Sequence, residues 1–195
     1  MQKGANKAVI NRNQNSALMI ACLNGKLEII RLILRSCKDE AEQMQLVNQV
    51  NRNQMSPLHA ACIVGNIEVC DLLVKSGAEL IKSLDFKKFL PVHYAVVKDH
   101  EALICYFFEK LKLKLLEPDY YCNGHKLLTL AIQNGSYKIV KLLVNDYRAD
   151  PMEKDSQDFS YLHVAAMSGH VNIFLFFLSK QVPLHSKNIK GKTAL

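Results

Sequence analysis

The chain lacks any long apolar run. Its densest stretches, Leu103 to Phe108 and Ile173 to Leu178, fall far short of the ~18 residues that a membrane-spanning helix requires, so no membrane insertion is expected. The first twenty residues contain no cationic segment followed by an apolar one, so no signal peptide is expected. The expected location is therefore cytoplasmic, with nuclear as the alternative. Catalytic signatures are missing too: there is no Gly-rich phosphate loop, no H-E-x-x-H pair, no nucleophile elbow and no carboxylate pair at suggestive spacing. Asp99, His100 and Glu101 resemble an acid–base group only by local accident, because Asp99 stands where other copies of a repeat carry glycine. No enzymatic activity, cofactor, metal or small-molecule substrate is expected. Six cysteines are present, but none in a C-x-x-C spacing. Cys22 and Cys62 fill one recurring slot that Val96, Ile132 and Ala166 fill elsewhere, which reads as reduced packing thiols.

What is present is a repeat. Its clearest copy runs from Ser56 to Val69 as SPLHAACIVGNIEV, and the last restates it from Ser160 to Ile173 as SYLHVAAMSGHVNI. Further copies run from Ser16 to Ile29, Leu90 to Leu103 and Lys126 to Ile139. With Gly25, Gly65, Asp99, Gly135 and Gly169 as the equivalent position, the spacings are 40, 34, 36 and 34 residues. A period near 33 means stacked supersecondary units, and 195 residues, 49% of them hydrophobic, suffice for a sizeable core.

One unit can be read from its residues. Pro57 suits a helix's first turn, where its missing N–H has no partner, and Ser56 can cap that turn. Leu58, Ala61 and Cys62 recur at helical spacing, with side chains small enough for a second helix to approach; Gly65 supplies the turn. Ile67, Val69, Leu72 and Leu73 form the apolar stripe of the second helix, opposite Glu68, Asp71 and Lys75, and Gly77 ends it. Between pairs, Asn51 to Met55, Asp85 to Phe89 and Asp155 to Phe159 read as projecting turns led by Asx residues, as does Asn188.

These residues resemble the ankyrin-repeat family, whose pattern runs D-x-x-G-x-T-P-L-H-x-A-A-x-x-G-H-x-E-[IV]-[VI]-x-x-L-L-x-x-G-A. The match is strong in the second and fifth copies and weakest in the fourth, where Lys126 to Thr129 replace T-P-L-H. The resemblance implies an all-α solenoid of helix-turn-helix units with short β-hairpin or turn fingers. The units would be about 11–50, 51–84, 85–120, 121–154 and 155–187, with a partial sixth at 188–195, in one domain over 1–195. It also implies that His59, His93 and His163, which share one phase, each hydrogen-bond a neighbouring finger, and that the protein is a non-enzymatic scaffold binding another protein. The finger glycine is present only at Gly124 and Gly191; Gln14, Gln54, Lys88 and Asp158 replace it, so less ideally formed fingers are expected.

The family's variable, partner-facing positions carry over by phase. The second unit supplies Arg52, Asn53, Met55, Ile63 and Val64; the third Phe86, Lys87, Phe89, Val97 and Lys98; the fourth His125 and Gln133; the fifth Phe159 and Met167. Arg12, Asn13, Asn15, Leu23 and Asn24 hold these positions in the first. Met55, Ile63, Val64, Phe86, Phe89 and Val97 would form an apolar middle on the concave side, rimmed by Arg52, Lys87 and Lys98, an arrangement of interface type. The alternative is that these side chains pack against adjacent fingers.

A net charge of +7 makes an acidic partner plausible, but nucleic acid is disfavoured because clustered arginines and interleaved aromatics are missing. In the first unit the second helix is expected to run on through Arg35, Cys37, Glu40, Glu42 and Gln45 to Val47, accounting for the 40-residue spacing. The stretch from Lys110 to Tyr121 is irregular. Phe174, Leu175 and Phe176 make the fifth unit's second helix apolar nearly all round. Neither end carries a polar cap of the kind solenoids need, so a capping partner or further repeats are expected at both ends. A second reading is that these repeats form the regulatory or substrate-recruiting arm of a larger protein such as a kinase, acyltransferase or channel.

Overall fold

Each copy of the repeat folds as two short helices joined by a tight turn, and a projecting finger precedes each pair wherever the chain is described. The computed structural model describes residues 10–80, 82–116 and 126–195. Among these residues there is no β-strand; two isolated bridges, Ile10 with Ser16 and Lys154 with Ser160, are the only ladder pairs. The fingers are therefore turns rather than hairpins.

The chain divides into two compact units. One holds the chain up to Lys98 together with Ala102–Leu113, and the other holds Asp99–Glu101 and Lys114–Leu195. In the first, the helices are α1 (Ala17–Leu23), α2 (Leu27–Arg35), α3 (Glu40–Val47), α4 (Pro57–Val64), α5 (Ile67–Lys75), α6 (Pro91–Val97) and α7 (Glu101–Cys105, its first residue assigned to the second unit). The inner helices α1, α4 and α6 pack in series, and α2 and α5 lie behind α1 and α4. The seam is made of recurring residues: Leu18, Leu58 and Val92, then Ala21, Ala61 and Ala95, then Cys22, Cys62 and Val96, all buried. Small side chains in the second row let the helices approach, while each buried leucine contributes roughly 1.5–3 kcal/mol.

The second unit contains α8 (Leu127–Gln133), α9 (Tyr137–Asn145), α10 (Tyr161–Met167) and α11 (Val171–Ser179). Leu128, Ala131 and Ile132 of α8 and Leu162 and Ala165 of α10 repeat the same seam and are buried with Ile173 and Phe177 of α11. The His170 Nε2 atom donates to the Gln133 carbonyl at 3.1 Å, which brings the ring over the α8–α9 turn. A Cβ at Gly135 would lie 2.7 Å from His170 Cε1, and Gly135 has φ +72°, so both space and conformation require glycine there. Along α11, Phe176 and Phe177 are buried, but Val171 and Leu175 are exposed, so the apolar character of this helix does extend to its outer side.

Two expectations are corrected. The second helix of the first copy does not run on to Val47: α2 stops at Arg35, and α3 begins anew at Glu40. Asp39 is the cause, since its Oδ1 accepts the Glu42 N–H at 2.7 Å while Glu42 Oε2 reaches back to the Lys38 N–H at 2.5 Å, which starts a helix rather than continuing one. The inserted helix docks: Asn48 Nδ2 donates to the Gly77 carbonyl at 2.9 Å and Asn48 Oδ1 accepts the Glu79 N–H at 2.8 Å.

The fingers, secondly, are not degraded by their missing glycines. Gln14, Gln54, Lys88 and Asp158 adopt φ values of 60, 61, 60 and 60°, close to the 71° of Gly191. The remaining non-glycine residues with positive φ, Asp99, Lys112, Arg148 and Gln181, stand at the inter-helix turn or just past the second helix, where other copies have glycine. A non-glycine side chain in this region costs about 1–2 kcal/mol, and the surrounding hydrogen bonds hold it there. The irregular stretch after α7 begins as a π-helical turn at Tyr106–Lys110; its part beyond residue 116 lies outside the described residues.

Candidate functional site

Every described finger is built by one device. Its leading Asx side chain accepts two backbone N–H groups, those two and four residues on: Asn53 and Met55 onto Asn51 Oδ1 at 2.9 and 3.0 Å, Lys87 and Phe89 onto Asp85 Oδ1 at 2.8 and 2.9 Å, Gln157 and Phe159 onto Asp155 Oδ1 at 2.8 and 2.9 Å. Asn11 and Asn188 do the same. An amide or carboxylate oxygen thus replaces the strand ladder that such a short turn cannot form. Successive tips are joined by the backbone, Arg52 N–H to the Asn13 carbonyl and Phe86 N–H to the Asn53 carbonyl, each at 3.1 Å.

His59 and His163 make the bond to a neighbouring finger that was expected of the recurring histidines. Ser56 N–H donates to His59 Nδ1 at 3.0 Å, so the ring proton is on Nε2, which donates to the Phe89 carbonyl of the next finger at 3.0 Å. His163 repeats this arrangement, from Ser160 to the Lys192 carbonyl at 3.1 Å. At His93 the Leu90 N–H donates to Nδ1 at 2.8 Å. Burial pushes the His59 pKa below 6.5, against the opposing pull of the Phe89 carbonyl and Asp85. A neutral imidazole shut inside the fold between two backbone groups has no free nitrogen for a substrate.

The expected partner-facing residues divide by exposure. In the first unit, Phe86 is 67% exposed and Val64 38%, with Arg52, Asn53, Lys87 and Lys98 also exposed, while Met55, Ile63, Phe89 and Val97 are half-buried. Phe89 packs its ring on His93 and Tyr94, both with centroids at 5.5 Å. Tyr94 in turn donates to Asp85 Oδ2 at 2.5 Å, so Phe89 is partly sequestered by its own unit. In the second unit Gln133 is exposed, Met167 is 76% exposed, and Phe159 is half-buried edge-on to His163 at 5.5 Å. His125 lies outside the described residues. The finger bonds bring Arg52 next to Asn13 and Phe86 next to Asn53. The phase-by-phase reading missed Ile20, which is exposed on α1; its place one helical turn before Leu23 was the available signal.

Little else here offers chemistry. Among the described residues no group of three or more His, Cys, Asp or Glu could hold a metal ion. Burial, with Cys70 nearby, pushes the Cys22 thiol up to about 12, and burial raises Cys62 as well, so neither supplies a thiolate near neutrality. A cavity of about 260 Å³ lies beside the final finger, lined by Phe159, His163, Met167 and Asn188 among others. No helix among the described residues is long and apolar enough to cross a membrane.

Comparison with known proteins accords with this geometry. The family model described as ankyrin repeats in three copies matches residues 1–83, 18–117 and 92–191. The crystal structure of the human ASB11 ankyrin repeat domain is similar with a TM-score of 0.76 at 23% identity, covering 98% of this chain and 80% of that one; at this identity the likeness is one of fold. Alpha-latrocrustotoxin-Lt1a of Latrodectus tredecimguttatus is 25% identical over 109 residues, 56% of this chain but 7% of the toxin. The chain therefore matches only a small part of that relative's length.

Proposed function

The chain belongs to the ankyrin-repeat family, and from that premise we propose that it is a non-enzymatic adaptor whose first unit docks another protein on its fingers and inner helices. Ankyrin repeats are generally protein–protein interaction modules. The observation that carries the reading is Phe86, a phenylalanine 67% exposed at a finger tip whose backbone is fixed by the bond to Asn53. A large apolar side chain exposed on a bonded backbone suits the role of an interface anchor. Val64 adds aliphatic surface from the neighbouring copy, and Arg52, Lys87 and Lys98 supply polar surroundings. A second reading, the recruiting arm of a larger protein, draws on the toxin match, where the aligned stretch is 7% of the relative.

The test substitutes exposed residues only, because changing Phe89 would also disturb Tyr94 and Asp85. Affinity capture from a lysate with the wild type and with Phe86→Ser/Val64→Ser is compared by mass spectrometry, with circular dichroism as the folding control. The expected result is a helical double variant that loses the proteins held by the wild type. Undiminished capture by that variant would remove the docking site from this face.

A further inference from the structure

The charges of the first unit are sorted by layer. Its nine acidic residues are Glu28, Asp39, Glu40, Glu42, Glu68, Asp71, Glu79, Asp85 and Glu109. Eight of them lie on α2, α3 and its cap, α5, the loop after α5, or the π-helical turn. The ninth, Asp85, is buried in a finger, one carboxylate oxygen occupied by the Lys87 and Phe89 N–H groups and the other by the Tyr94 hydroxyl. Helices α1, α4 and α6 contain no acidic residue at all. The cations on fingers and helix ends of the same layer are Arg12, Arg52, Lys87, Lys88 and Lys98, all exposed. The layer that bears Phe86, Val64 and Ile20 thus presents five exposed cations, and the one exposed carboxylate beside them in the chain is Asp99, which follows Lys98 at the turn after α6.

From this segregation we infer that the partner segment is an acidic one, a stretch of another protein in which apolar side chains are interspersed with aspartate and glutamate. The inference rests on the docking reading above and adds the chemistry of what docks. Apolar side chains seat against Phe86 and the aliphatic surface of the inner helices and supply the affinity. The carboxylates meet the finger cations, which speed encounter and turn away basic segments by like-charge repulsion. Nucleic acid also carries negative charge, but Val64 and Ile20 offer nothing to a phosphate chain, and the cations are one or two per finger rather than clustered. One finger of the second unit serves as an internal control: that at 155–159 carries exposed Asp155 and Asp158 and no cation, whereas the finger at 188–192 carries exposed Lys190 and Lys192.

A random peptide library displayed on phage is panned against the intact protein, and enriched sequences are synthesised and titrated by fluorescence anisotropy. Enrichment in Asp and Glu next to Leu, Ile, Val or Phe is expected. Arg12→Glu/Arg52→Glu should weaken those peptides by about tenfold or more, added salt should weaken them further, and Asp158→Lys should leave them unchanged. Neutral or basic winners, or acidic winners indifferent to the double charge reversal, would overturn the inference. Winners lost on Phe86→Ser/Val64→Ser but not on charge reversal would leave the docking site standing and remove only its acidic preference; winners insensitive to both, or no winners, would remove both. A labelled oligouridine that bound more tightly than any peptide, and was released by Arg12→Glu/Arg52→Glu, would assign the face to nucleic acid instead.

Discussion

In the finger at 85–89 the leading aspartate is buried, and its second carboxylate oxygen takes the Tyr94 hydroxyl; in the finger at 155–159 the same turn closes around an aspartate open to solvent. The backbone is nevertheless alike in both: the leading N–H bonds the carbonyl four residues on at 3.0 and 3.1 Å, and the fourth residue stands at φ 60° in each. The surfaces differ, with Phe86, Lys87 and Lys88 on one and Ser156, Gln157 and Asp158 on the other. The shape of a finger is therefore set by a single oxygen acceptor and a left-handed residue, and the remaining positions are free to carry recognition.

That comparison can be broken most severely at the acceptor. Asp85→Ala should cost about 2–3 kcal/mol in urea denaturation, because it removes the buried acceptor of three part-buried bonds, two from N–H groups and one from a tyrosine hydroxyl. Asp155→Ala should cost about 1 kcal/mol, since water replaces what is lost. Equal costs would mean that burial does not distinguish the two fingers. Glycine at the left-handed position sharpens the likeness: Lys88→Gly and Asp158→Gly should each stabilise by about 1 kcal/mol, the relief of the Cβ less glycine's extra chain entropy, and a gain in one finger alone would show unequal strain.

The smallest effect is one of pH. His59 is lowered in the fold from 6.5, so folding favours its neutral form. Its contribution is complete above pH 6.5 and drains away as the pH falls toward the lowered folded value, because the unfolded chain takes up the proton first. Urea midpoints should decline from pH 7 to 5 in the wild type, with a shallower decline in His59→Leu. An identical slope in both would place the acid sensitivity elsewhere.

The helices and their seam were legible because they depend on residues that do only one thing: Pro57 at a first turn, alanines between helices, Gly65 and Gly135 at turns. A structural role for the histidines was legible by phase, since Ser56 with His59 and Ser160 with His163 repeat both the residue types and their spacing; the bond to the next finger was what the family resemblance implied. The fingers were misjudged because the absent glycine is visible in the sequence, whereas the Asx oxygen that holds Gln54 or Lys88 in place acts through two backbone groups that any residue supplies. The break before α3 was legible but unread, in Asp39 followed three residues later by Glu42, the signature of a new helix start. The exposure of Phe86 and the partial burial of Phe89, three positions apart in one turn, were beyond the sequence, because they depend on where Tyr94 sends its ring.

The backbone bonds between finger tips link recognition to mechanics. Arg52 and Phe86 donate the N–H groups that join the first three fingers in series, and the side chains of both are exposed. A partner that grips both side chains would hold three rungs of a one-bond-wide ladder in register. Pulling those fingers apart would then mean releasing the partner first, and the Arg52 and Phe86 amides would exchange with solvent more slowly in the complex than in the free chain.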